Sequence, residues 1–369
     1  MENHVKKMKL KQVINASGKM TALGVSKVSD AVAEVQKQAG QSFFVMDELM
    51  EKSGAYLAEL LKTEDAQIVP SASAGIALSV AAVIGKGDQY HLYHPFDSNR
   101  FPQREVVMPK GHNIDYGAPI EIAIGLGGGI LREAGYANGC SLDHIRQQIT
   151  PETAAILYVK SHHTVQKSMP TVAEVLTVAT EYNLPLIVDA AAEEDVFLYT
   201  EDGADIVIYS GAKAFEGPTS GLVIGKNPYI SWIRMQNKGI GRSMKIGKEN
   251  VFGLIVAIEN YLRVGSESGD SMKKRLASFI DSLNQIPNLT ATIVQDGAGR
   301  DIYRARIKFA ENIDAQTVVK AQQNGNPAIY TRDYLANNGI IEYDIRSVDA
   351  SEMVIIAKRL KEIVENLSK

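Results

Sequence analysis

The 369-residue chain holds one cysteine, Cys140, and one tryptophan. A single thiol excludes an intramolecular disulfide framework and a thiolate zinc site. Neither sign of charge dominates: 39 Lys and Arg against 43 Asp and Glu leave a net charge of −4. That balance speaks against a protein built mainly to grip nucleic acid, which needs a clustered basic surface. It leaves room for a local cationic pocket. Long apolar runs are missing too. IALSVAAVIG at 76–85 falls well short of the roughly 20 residues that a bilayer requires. The opening MENHVKKMKLKQVI has no apolar core followed by a cleavage site, so no secretory signal is expected and a reducing cytoplasm is the simplest compartment.

Several chemical signatures are absent as well. There is no H-E-x-x-H and no G-x-S-x-G. GLVIGK at 221–226 is one residue short of a P-loop, and GLGGGI at 125–130 ends in Ile130 where a dinucleotide fingerprint needs glycine. His91 and His94 run into Pro95, which breaks the helix that would align them. His162 and His163 are adjacent and point to opposite faces of a strand, although one of them could line a crevice after AILYV. No protein-bound catalytic metal is expected.

What is present is an alternation of helix and strand signals. DELMEKSGAYLAELLK at 47–62 places Leu49, Tyr56, Leu57, Leu60 and Leu61 on one helical face. A helix over 75–84 follows the loop PSASAG, and EVVM at 105–108 reads as a strand. AAILYV at 154–159, PLIVDA at 185–190, DIVIYS at 205–210 and GLVIG at 221–225 are short apolar runs, as expected of strands covered on both faces. TVAEVLTVATEY at 171–182 is helical and stops at Asn183 and Pro185. This pattern predicts an α/β protein with a mostly parallel sheet. After about residue 250 it changes to a long helix from 252–262, continued or followed by 272–286, strands at 290–294, 304–309 and 340–348, and a final helix over 350–367. The expected organisation is a large domain over 45–255 and a smaller α+β domain over 256–369. Residues 1–44 then pack with the small domain or a partner subunit.

Three features follow in order along the large domain. Ser71, Ala72, Ser73, Ala74 and Gly75 precede a helix, and such a loop offers N–H groups, hydroxyls and a positive helix end to a phosphate. Asp189 ends the strand LPLIVDA, and Lys213 lies in YSGAKAFEGP just after DIVIYS. Ligands in open α/β sheets gather outside the carboxyl ends of strands, so all three can face one crevice. Singly, each has a plainer reading as a turn, a helix cap or a surface charge. Jointly they match the needs of pyridoxal 5′-phosphate (PLP): a lysine amine for the Schiff base, an aspartate for the pyridine nitrogen and a cradle for the phosphate.

The residues also carry a resemblance. SGAKAFEGPTSGLVIG at 210–225 resembles the lysine segment of the bacterial selenocysteine synthase (seryl-tRNA selenium transferase) family of fold-type I PLP enzymes. INASGKMTALG at 14–24, REVVMPKGHNID at 104–115 and RSMKIGKENVFGLIVAIENYL at 242–262 are similar to further segments of that family. VSDAV, SASAGIALSVAAVI and YTRDY resemble one branch of it, the D-glucosaminate-6-phosphate ammonia-lyases. The resemblance implies an aspartate aminotransferase-like large domain with a mostly parallel seven-stranded sheet, plus a smaller α+β C-terminal domain. It also implies at least a homodimer with shared active sites.

Position by position, it implies that Lys213 bears the cofactor, Asp189 meets the pyridine nitrogen, residues 71–75 hold the phosphate with Ser210 adding a hydroxyl, and His112 stacks on the ring. The tRNA-using members carry an additional N-terminal domain that is not matched here. Together with the charge balance, this favours a small phosphorylated amino-acid-like substrate over tRNA, with neither nucleic acid nor membrane as partner. The expected reaction is α,β-elimination, in which Lys213 removes the α-proton and Lys213 or His112 assists the leaving hydroxyl. Arg346 is the first choice for the substrate carboxylate. Arg242, Lys245, Arg332, Arg100 and Lys19 compete for its phosphate. A seryl-tRNA selenium transferase, a racemase, an aldolase, a transaminase or a non-catalytic binding protein on the same fold are the alternatives.

Overall fold

A computed structural model describes residues 2–161, 163–297 and 299–368; His162 therefore lies outside the described residues. The chain forms two compact units, Val28–Gly265 and a second made from residues 1–27 together with Ser266–Lys369. The helix Asp30–Gly40, which the sequence reading places in an N-terminal segment, lies in the first of these.

The first unit is organised by a seven-stranded sheet in the order Asp65–Val69, Gly221–Gly225, Ile206–Ser210, Leu186–Asp189, Thr153–Val159, Glu105–Pro109, Ile130–Ala134. Only Gly221–Gly225 runs against its neighbours, so six strands deliver their carboxyl ends to the same edge. Alternate residues serve opposite faces, as the pleat requires. Val107, Ile156, Val188, Val207 and Leu222 join one apolar cluster. Val106, Leu157, Ile187, Ile208 and Val223 join the other. Ala72–Gly85 packs on the second face, and every residue from Ala74 to Gly85 is buried. Its lack of a polar side follows from that position.

Met46–Leu61 buries Met50, Gly54, Leu57 and Leu61. Tyr56 is exposed instead, and its hydroxyl donates to Glu259 at 2.5 Å. Ile120–Leu126, ahead of the glycines that resemble a dinucleotide fingerprint, is a short helix. The long helix is Lys248–Val264, and Gly265 separates it from Gly269–Leu283.

The second unit is α+β. Leu289–Gln295, Tyr303–Phe309 and Ile340–Asp344 form an antiparallel sheet, while Val13–Ala16 pairs in parallel with Ala328–Thr331. The strand expected over 340–348 ends at Asp344 and continues as one 3-10 turn, Ile345–Ser347. The final helix, Ala350–Leu367, is capped by Asp349 through a capping box with Glu352.

Candidate active site

Four of the parallel strands place chemistry at the carboxyl edge of the large sheet. The strand Asp65–Val69 leads to Ser71, whose hydroxyl accepts from the Ala74 N–H at 3.0 Å and caps the helix Ala72–Gly85. Gly75 donates to the Ser71 carbonyl at 2.9 Å. The first-turn N–H groups of Ala72 and Ser73 have no acceptor inside the helix and form a ready anion cradle. Gly221 fixes this loop against the sheet. It pairs with Val69 on one side and Ser210 on the other, and a Cβ on it would stand 2.6 Å from the carbonyl carbon of Ser71. Ser210 and Ser71 therefore flank the same glycine.

The strand Leu186–Asp189 ends in a carboxylate that is 6% exposed. Its Oδ1 accepts from the Ala191 N–H at 3.0 Å. Burial raises the Asp189 pKa, while the Ala191 bond and the charge of Lys213 pull it back. A carboxylate placed this way is stabilised by a cationic partner.

Lys213 sits in the tight loop after Ile206–Ser210. There Gly211 donates to the Ser220 carbonyl at 2.9 Å and Gly217 to the Gly211 carbonyl at 2.8 Å. A Cβ on Gly217 would stand 2.9 Å from the Gly211 oxygen, so the glycine spacing of SGAKAFEG is a packing requirement. The Lys213 N–H donates to the Ser210 carbonyl at 3.3 Å.

His112 follows the strand Glu105–Pro109 and is 1% exposed. Its Nδ1 accepts from the Val159 N–H at 3.3 Å, and its ring meets Tyr158 edge-on at 4.5 Å. Burial, helped by the charge of Lys160, lowers its pKa to about 4. It is therefore a neutral imidazole at pH 7 with its proton on Nε2.

Two neighbours of this edge escaped the sequence reading. Lys160 donates its backbone N–H to the Asp189 carbonyl at 2.8 Å, and its charge is felt at His112. It stands directly after the apolar run AAILYV, just as Asp189 ends its own run, so the strand-end rule that found Asp189 also points to Lys160. Tyr116 lies 3.3 Å from the Ser73 hydroxyl, and the charge of Asp189 reaches it. No sequence signal marks it.

The candidate substrate cations fare differently. Arg100 belongs to the opposite edge. It pairs with Asp88, which lies beyond the far end of Ala72–Gly85, and stacks on Tyr90. A 14-residue helix, about 21 Å long, separates that end from the cradle. Arg242 and Lys245 are exposed in the segment after Gly239, beside Leu78. Arg346, Arg332 and Lys19 belong to the other unit. There Arg346 is clamped edge-on by Asp344, Nε to Oδ1 at 3.0 Å and NH2 to Oδ2 at 2.9 Å. Asp344 also takes Arg304 Nε at 3.0 Å. Arg332 lies 3.6 Å from Glu342 and over the Tyr334 ring. Lys19 follows a turn in which the Asn15 side chain donates to the Gly18 carbonyl at 2.8 Å and accepts from the Ser17 N–H at 3.0 Å.

The chain is similar to known proteins along nearly its whole length. Residues 99–285 match the family model for L-seryl-tRNA selenium transferase. The chain is 44% identical, over 99% of its length and 98% of the relative's, to a D-glucosaminate-6-phosphate ammonia lyase of Salmonella typhimurium. It is 35% identical, over 95% of its length and 90% of the relative's, to a 5′-C-glycyluridine monooxygenase-decarboxylase of a Streptomyces species. A solved structure of D-glucosaminate-6-phosphate ammonia-lyase superposes with a TM-score of 0.92 at 43% identity, covering 100% of this chain and 99% of that one. The architecture is that of the fold-type I PLP enzymes.

Proposed function

The chain belongs to the L-seryl-tRNA selenium transferase family, and on that footing we propose that it is a PLP-dependent ammonia-lyase. Its substrate is D-glucosaminate 6-phosphate and its products are 2-keto-3-deoxygluconate 6-phosphate and ammonia. The observation that carries this reading is the 44% identity over 99% of the chain to a D-glucosaminate-6-phosphate ammonia lyase, and the buried Asp189 at its strand end, with Lys213 after the neighbouring strand, supplies the matching chemistry.

The donor set fits the cofactor. A buried carboxylate accepts a pyridinium N–H, an amine stands close enough to feel that carboxylate, and a 14-residue helix aims its first turn at an anion. Asp189 would hold the ring nitrogen, Ala72, Ser73 and Ser210 the phosphate, and Lys213 the carbonyl carbon. When bound, PLP withdraws electrons from the substrate α-carbon, which makes the α-proton removable and lets the β-hydroxyl depart.

The protein's own groups then move protons, and the water lost with the β-hydroxyl is balanced by one that hydrolyses the released enamine to the 2-oxo acid and ammonia. The Lys213 amine takes the α-proton and returns a proton to the departing hydroxyl oxygen. His112, neutral because burial holds its pKa to about 4, is a poor acid for that second transfer. Its place against Val159 and Tyr158 suits packing on an aromatic ring instead. The functional form is a homo-oligomer, at least a dimer with shared sites, in the cytoplasm. Neither nucleic acid nor membrane is proposed as its partner, and the net charge of −4 is not that of a protein built to grip nucleic acid.

The test is an assay with D-glucosaminate 6-phosphate and no amino acceptor. Equal amounts of ammonia and 2-keto-3-deoxygluconate 6-phosphate are expected. Turnover only when a 2-oxo acid is added would make the protein a transaminase. Oxygen uptake with release of carbon dioxide would place it with the 35%-identical relative.

A further inference from the structure

Tyr116 occupies the segment between the 3-10 turn Lys110–His112 and the helix Ile120–Leu126. That segment is tightly tied. Asp115 Oδ1 accepts from the Gly117 N–H at 2.8 Å, Ile120 donates to the Ile114 carbonyl at 3.2 Å, and Asp115 bridges to Pro119. Gly117 adopts a left-handed φ of 115°, which lets the chain turn directly after the tyrosine. The ring packs, half-buried, against the apolar cluster that surrounds Ala72–Gly85. Its hydroxyl stands 3.3 Å from Ser73 Oγ, the second residue of that helix.

A pair of hydroxyls has two hydrogens and spends only one on the bond between them. Whichever hydroxyl donates inward, the other keeps a hydrogen for a third group. At Ser73 that third group lies at the mouth of a helix whose Ala72 and Ser73 N–H groups already face an anion. Burial raises the phenol pKa and the charge of Asp189 adds to it, so Tyr116 keeps its proton at neutral pH and remains a donor. Packing alone asks only for the ring, which phenylalanine would supply.

We propose that Tyr116 and Ser73 form a hydroxyl relay onto the cofactor phosphate, which makes Tyr116 a determinant of phosphorylated over unphosphorylated cofactor. The inference rests on the PLP reading of the site and adds a residue to it. A charge-assisted hydrogen bond of this kind corresponds to about a 10- to 100-fold change in affinity.

The experiment titrates cofactor-stripped protein with PLP and, separately, with pyridoxal. It uses wild type, Tyr116→Phe, Ser73→Ala and the double variant, with visible absorbance as the readout. Tyr116→Phe is expected to raise the PLP Kd about 10-fold or more and to leave the pyridoxal Kd within about twofold. The double variant should be little worse than the weaker-binding single one, because both substitutions break the same relay. Unchanged PLP affinity in Tyr116→Phe would overturn the inference. So would an equal loss for PLP and pyridoxal, or fully additive single effects. Wild type that binds neither compound would instead overturn the cofactor reading itself, and the relay with it.

Discussion

A Cβ on Gly221 would stand 2.6 Å from the carbonyl carbon of Ser71 and 2.7 Å from its oxygen. Both are backbone atoms, so no rotamer change relieves the contact. Gly221→Ala must push the cradle away from the strand that supports it. The expected result is a lower melting temperature together with at least about tenfold weaker PLP binding. Gly125→Ala is the control, because nothing lies within 4 Å of its added Cβ and it sits within a helix, where alanine is favoured. Scanning calorimetry and cofactor titration of both variants check this.

Asp189→Asn keeps the shape of the side chain and removes its charge. The account predicts that the visible band of the lysine-bound cofactor persists while kcat/KM falls by about 10²–10³-fold, the range for losing one preorganised electrostatic group. A variant with near wild-type turnover would show that the ring nitrogen does not depend on this carboxylate.

His112 makes stability depend on pH. Its folded pKa of about 4 lies below the ordinary 6.5, so between these values the unfolded chain binds the proton more readily. Stability therefore rises with pH across that window and is lost as pH falls through it, by about 3 kcal/mol in all. Chemical denaturation at several pH values between 4 and 7, on wild type and His112→Gln, checks the sign. The variant should lose most of the slope in this range.

In the second unit, Asp344 is fully buried between Arg304 and Arg346. Burial by itself would raise its carboxyl, but Arg346 and Arg304 hold it well below the usual carboxylate range. Asp344→Ala leaves Arg304 buried with one carboxylate, Asp296, where it had two. A loss of about 3–5 kcal/mol in unfolding free energy is expected, measured by denaturant titration. The charged carboxylate stabilises the fold above its unfolded pKa, and that contribution fades as pH falls below it.

The apolar strands of the large sheet were legible because both faces are covered, and 154–159, 185–190, 205–210 and 221–225 each lie on a strand. The strand Asp65–Val69 was not, because Asp65 and Gln67 spoil its apolar pattern. Arg234 satisfies both, with NH2 at 2.6 Å from Asp65 Oδ1 and Nε at 3.0 Å from Gln67 Oε1. That partner lies far along the chain, where periodicity does not reach. Val13–Ala16 and Ala328–Thr331 were hidden for the same reason, since two four-residue strands find each other from opposite ends of the sequence. Within the site, Lys213 and Asp189 announced themselves by standing at strand ends. Tyr116 did not, because its relation to Ser73 exists only after the sheet has assembled.

The most direct test of the central claim is to treat the PLP-loaded protein with borohydride, digest it and map the modified peptide by mass spectrometry, before and after exposure to D-glucosaminate 6-phosphate. The account predicts a reduced cofactor fixed to Lys213 in the resting protein, and a sharp drop of that adduct while substrate is being converted to ammonia and the 2-oxo acid. An adduct on another lysine, Lys160 included, or a Lys213 adduct that substrate leaves untouched, would contradict it.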